Sequence, residues 1–259
     1  AYSTDIKRGA APLHLVPEKP SEPLSNDELL VKAENAAHSL KAMELLKTVL
    51  SRETGNAHAH QLLGEIYVNW TMYSQAIEHL QQSIKRDPFN NSGKSYYYLG
   101  MAQVELGFIE QAKESFWNAT YSSGFRSQAY LALANLAFAE KEFKKAQSLL
   151  ENSLQANSQN YRSNNLLITA IRYNGETEKA LAFAEQVLKA DPINHLALWE
   201  KYLLTTKLND GVAANKVLEE LYQIAGYTDS YYLDTANIYR GAGLYKDAIN
   251  VLEQADTSA

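Results

Sequence analysis

Seven alanines, Ala42, Ala76, Ala112, Ala146, Ala180, Ala214 and Ala248, follow one another at spacings of 34, 36, 34, 34, 34 and 34 residues. A period of that length restricts the chain to a repeat architecture. Four residues after each alanine stands Leu46, Leu80, Phe116, Leu150, Ala184, Leu218 or Leu252, so the two positions share one helical face. Twelve residues before it, Gly64, Gly100, Ala134, Ile168 and Ala236 form a mostly small surface that lets the alanine of a second helix approach. Turn signals separate the two helices at Glu105-Leu106-Gly107-Phe108, Tyr173-Asn174-Gly175-Glu176, Asn209-Asp210-Gly211 and Gly241-Ala242-Gly243-Leu244. Their glycines are expected to supply the left-handed residue that ends the first helix. Asp87-Pro88 and Asp191-Pro192 then end second helices, because proline cannot continue them. The unit is a pair of antiparallel helices, repeated near residues 26–56, 57–92, 93–126, 127–160, 161–194, 195–228 and 229–259.

Composition narrows the function more than the fold. A formal net charge of -6 offers no general attraction to phosphate backbones or anionic lipid, so nucleic acid and membrane surfaces are not expected partners. The chain has no cysteine, which removes thiolate metal sites and Cys nucleophiles and suits both cytoplasm and periplasm, the cytoplasm being favoured slightly. His58 and His60 are two residues apart and point to different helix faces, while His38, His79 and His195 fall in different units. No metal site or cofactor is expected from them. Gly241-Ala242-Gly243 lacks the third glycine and the preceding strand of a dinucleotide fingerprint and is explained by the turn. Nothing in the chain points to catalysis.

The pattern resembles the tetratricopeptide repeat family, and the second unit carries it most fully with Leu63, Gly64, Tyr67, Ala76, Leu80 and Pro88. The resemblance spans residues 24 to 256 and implies an all-α, right-handed superhelical α-solenoid of about seven helix-turn-helix repeats. Departures are local: an insertion near Asn91 and Ser92, Gly124 and Ser158 in place of the exit proline, and Lys201-Tyr202 in place of Leu-Gly. The run from Ser115 to Tyr130, with Asp191 to His195, further resembles the helical region of bacterial proteins of the DUF5107 family. That narrower resemblance implies a larger protein with an upstream β-rich, sugar-related domain which this solenoid would position or dimerise.

In tetratricopeptide arrays the first helices line a concave groove that binds protein or extended peptide. The resemblance places Tyr97, Met101, Glu105, Asn135, Phe138, Arg162, Asn165, Arg172, Tyr173, Trp199, Lys207, Asn237 and Arg240 on that face. Asparagine both donates and accepts, so a row of it suits a peptide backbone, and arginine suits an acidic group. Arg162, Arg172, Lys207 and Arg240 are expected to make the groove locally basic and favour a carboxylate-bearing ligand. No first helix holds Lys-x-x-x-Asn, so the family's two-carboxylate clamp is not expected. A carbohydrate surface is the weaker alternative, because Tyr67, Tyr96, Phe116, Tyr130 and Tyr239 fall at repeat-packing positions.

At the ends, residues 1–25 hold four of the six prolines and read as an extended linker. Ser25 or Asn26 is expected to cap the first helix. Ile249, Leu252 and Ala255 are expected to present an uncovered apolar side that favours self-association.

Overall fold

The computed structural model describes residues 23–36, 38–87, 93–225 and 230–257. Most of the Pro-rich segment, Pro88 and the insertion at Asn91 and Ser92 therefore lie outside the described residues. Fourteen helices, and no strand, occur among those described. They form seven pairs: α1 (Asn26–Asn35) with α2 (Leu40–Arg52), α3 (Ala57–Asn69) with α4 (Tyr73–Arg86), α5 (Lys94–Glu105) with α6 (Ile109–Ala119), and α7 (Arg126–Ala139) with α8 (Phe143–Ala156). The series continues with α9 (Tyr161–Tyr173) and α10 (Thr177–Ala190), α11 (His195–Lys207) and α12 (Gly211–Ala225), and α13 (Ser230–Gly241) and α14 (Tyr245–Thr257).

Local chemistry starts and stops these helices. Ser25 caps α1 in a reciprocal box: its hydroxyl accepts from the Glu28 N–H at 3.2 Å and its own N–H donates to the Glu28 carboxylate at 2.8 Å. Asn56, Asn160 and Asn194 cap α3, α9 and α11, accepting from Ala59, Ser163 and Ala197 at 2.9, 3.2 and 3.0 Å. Each satisfies an N–H that a helix start leaves orphaned. Inside units two to seven the left-handed residue is Thr71, Gly107, Lys141, Gly175, Asn209 or Gly243, with φ from 58° to 83°. In the sixth unit this corrects the sequence expectation: Asn209 takes the left-handed turn, which asparagine tolerates, and Gly211 instead opens α12.

All seven repeat alanines are buried. Their partners twelve residues upstream show why small side chains recur there. A Cβ on Gly64 would stand 2.4 Å from Leu80 Cγ, and one on Gly100 would stand 2.6 Å from the Phe116 ring. Both contacts are far inside van der Waals range, and Leu80 is itself enclosed. We therefore expect Gly64→Ala to destabilise the protein by roughly 1–3 kcal/mol through overpacking. A urea midpoint equal to that of the parent would disprove the close approach.

The apolar interior runs along the stack in two clusters, Leu29 to Ala102 and Ala112 to Val251, which meet at half-buried Met101. Where units meet, hydroxyl chains replace part of the apolar contact: Ser83 with Ser95 at 3.0 Å, and Ser127, Ser153 and Ser163 at 2.9 and 2.7 Å. Arg126 shapes the junction of α6 and α7 by donating its Nε to the Thr120 carbonyl at 2.8 Å, while Phe125 packs on Tyr97 and Trp117 meets Tyr130 edge to face. Much of the run from Ser115 to Tyr130 is thus occupied in holding this bend.

The last pair reaches back across the inner side. A Cβ on Gly243, in the α13–α14 turn, would lie 3.1 Å from the Ala139 Cβ at the end of α7. The seventh unit touches the fourth, past the two units between them in sequence.

Candidate functional site

The first helices α7, α9 and α13 surround a pocket of about 400 Å3 on the inner face. Leu131 and Asn135 come from α7, Tyr161, Arg162 and Leu166 from α9, and Asp234, Asn237, Ile238 and Gly241 from α13. The three helices belong to units four, five and seven, so the site exists only because the last pair folds inward. Asn135 is half-buried, and its side-chain oxygen is buried with no hydrogen-bond partner among the described residues. Arg162 is exposed and steadied by its neighbour: its Nε donates to the Tyr161 hydroxyl at 3.1 Å, and its guanidinium lies 5.8 Å from that ring's centre.

Of the residues expected on a groove, Asn135, Arg162 and Asn237 line this pocket. Lys207, Arg240 and Glu105 are exposed outside it. Tyr97 is half-buried against Phe116 and Phe125, and burial raises its phenol pKa, opposed by the charge of Arg162. Phe138, Asn165 and Trp199 are buried and do not face an open groove. Phe138 packs near Phe143, and Trp199 lies against Tyr202, which fills the position where other units keep a small residue.

Arg172 and Tyr173 depart furthest from the expectation. The Arg172 Nε donates to Glu200 at 2.6 Å, and its Nη2 donates to Glu200 at 3.1 Å and to Asp247 at 2.7 Å. The Tyr173 hydroxyl donates to the other Asp247 oxygen at 2.5 Å. Glu200 is 0% exposed and also accepts from Thr169 at 2.6 Å and from Tyr239 at 2.7 Å. Burial opposes the charged guanidinium most, but the charge and hydrogen bonds of Glu200, with Tyr239 and Asp247 adding, together outweigh it and raise the Arg172 pKa above its ordinary value. Burial likewise pushes the Tyr173 phenol up to about 12, with the hydrogen bond to Asp247 adding to it. The expected basic groove is corrected accordingly: Arg172 is neutralised by the protein's own carboxylates, and Asp234 shares the pocket with Arg162.

Sequence reasoning passed over Glu200, Asp247 and the histidine pair His60–His79. In the repeat register Glu200 stands where Leu62, Tyr98, Ala132 and Leu166 stand in other units, and a carboxylate at a mostly apolar position was the available signal. His60 and His79 bring their Nδ1 atoms to 2.8 Å, while the His60 Nε2 donates to the Thr54 carbonyl at 3.1 Å. With its Nε2–H on that carbonyl, the His60 ring offers Nδ1 as an acceptor towards His79. The two lie 19 positions apart on different helices, which no spacing rule anticipates.

A stack of antiparallel helix pairs, each locked by a buried small residue, places the chain among the helical-repeat solenoids. More particularly, a model described as Tetratricopeptide repeat matches residues 57–90, the second unit. Among solved structures, the C-terminal part of a TPR repeat-containing protein from Cytophaga hutchinsonii superposes with a TM-score of 0.67 at 16% identity, over 90% of this chain and 91% of that one. PilF of Pseudomonas aeruginosa gives 0.63 at 17% identity, covering 86% and 95%. YrrB, a TPR protein with an unusual peptide-binding site, gives 0.59 at 14%, covering 75% and 99%. At such identities the likeness is one of fold, and that fold is the tetratricopeptide-type solenoid, typical of protein-interaction scaffolds. No helix among the described residues is long and apolar enough to cross a membrane.

Proposed function

We propose that this chain is a binding scaffold without catalysis of its own, holding a protein or peptide at its inner face, with recognition centred on the pocket between α7, α9 and α13. The observation that carries the reading is the convergence of Asn135, Arg162 and Asn237, from three first helices, on one concave site. Pockets that bind ligands combine apolar walls with a few placed polar groups, and Leu131, Leu166 and Ile238 provide such walls here. The peptide-binding site of YrrB agrees with this use of the fold. Residues 26–259 would act as one array of seven units, and the likeness of the α6–α7 junction to DUF5107 proteins supports a place within a larger bacterial protein.

The test compares proteins and peptides retained from source lysate by the immobilised parent with those retained by a variant carrying Asn135→Ala, Arg162→Ala and Asn237→Ala. All three side chains leave the core intact, so melting should stay within about 1 kcal/mol of the parent. Partners retained by the parent and by a Lys207→Ala control, at an exposed position outside the pocket, should be lost from the triple variant. Retention of the same partners by the triple variant would move the binding surface elsewhere.

A further inference from the structure

Resting on the reading of this pocket as the binding site, we infer that its ligand is a short zwitterionic peptide whose two free ends are both recognised. The pocket carries one charge of each sign on different helices, Arg162 on α9 and Asp234 on α13. They form no ion pair with each other. Opposite charges that line one cavity without meeting favour a ligand that places a carboxylate beside the first and an ammonium beside the second. The guanidinium suits the carboxylate because it can donate two parallel hydrogen bonds.

Size selects the ligand further. A sphere of about 400 Å3 is roughly 9 Å across, and an extended chain advances about 3.3–3.6 Å per residue. Two or three residues therefore fill the site. Between the ends, Asn135 and Asn237 on the pocket wall bring side-chain amides, which suit a peptide backbone because they both donate and accept. Leu131, Leu166 and Ile238 offer an aliphatic wall for a side chain. A purely anionic ligand would be repelled by Asp234, and a purely cationic one by Arg162. The terminus of a folded partner would satisfy only one of the two charges.

The probe is Ala-Leu-Ala, measured by titration calorimetry at low ionic strength beside N-acetyl-Ala-Leu-Ala and the same tripeptide with a C-terminal amide. We expect the free peptide to bind and each blocked form to bind at least about tenfold more weakly, a step of 1.4 kcal/mol. Arg162→Gln should abolish discrimination against the amide alone, and Asp234→Asn discrimination against the acetyl form alone. Both residues are exposed, so neither change threatens the fold. Equal binding of all three peptides, or none at millimolar concentration, overturns the inference. Loss on only one blocked form also overturns it, in favour of the terminus of a protein chain. Should the tripeptide fail while the triple variant still loses protein partners, only the ligand class is wrong; the scaffold reading fails on the capture result alone.

Discussion

Arg172→Met should lower the unfolding free energy by about 3–5 kcal/mol, because it leaves Glu200 and Asp247 buried without their cation. The carboxylates and guanidinium link α9, α11 and α14, so the loss falls on the contact between units five, six and seven. Arg240→Ala, at an exposed position in the same repeat register, should stay within about 0.5 kcal/mol of the parent. Urea denaturation of both variants at pH 7 provides the comparison. An Arg172 variant within 1 kcal/mol of the parent would mean that the three charges are hydrated and the network is incidental. Restoring an apolar contact with the additional change Glu200→Leu should recover part of the loss, since one uncompensated carboxylate then remains instead of two.

Acid should destabilise the protein before its carboxylates are titrated. His195 is buried beside Thr235, whose hydroxyl lies 2.9 Å from its Nδ1, and between the rings of Tyr231 and Tyr232. Burial pulls its pKa from 6.5 to about 4. The folded value lies below the unfolded one, so this stabilisation is complete above pH 6.5 and is lost as pH falls towards 4. The difference, (6.5 − 4) × 1.36, amounts to about 3 kcal/mol. His79 acts in the same direction, its pKa lowered by burial and then by the neighbouring His60. The urea midpoint should therefore drop steeply between pH 7 and pH 4.5, and His195→Gln should flatten that slope. A slope unchanged in His195→Gln would assign the acid sensitivity to other groups.

The two predictions depend on features that differ in how far the sequence reveals them. The helix pairs follow from a period, and a period survives without any knowledge of how one unit sits on the next. The small residues at Gly64 and Gly100 are legible for the same reason, because each meets a partner in its own unit. Arg172 has the chemistry of a ligand-binding residue, and what decides its role is Asp247, 75 positions away, delivered by the curvature of the whole array. Curvature accumulates from small rotations at each junction, and composition does not encode them. Asn135, Arg162 and Asn237 fall at inward repeat positions, whereas Asp234 in the same pocket occupies a register in which other units carry Leu62 and Leu166.

The contact between Gly243 and Ala139 joins residues 104 positions apart, further than the 75 between Arg172 and Asp247, in an architecture built mainly on contacts between neighbouring pairs. Helical repeats assemble quickly because neighbouring pairs need no long loop to close. The seventh unit reaches the fourth through the curvature of the folded pairs between them, so no free loop has to close. Units four to seven must therefore all be in place for the contact to form, and a break at any junction between them would open the pocket with it.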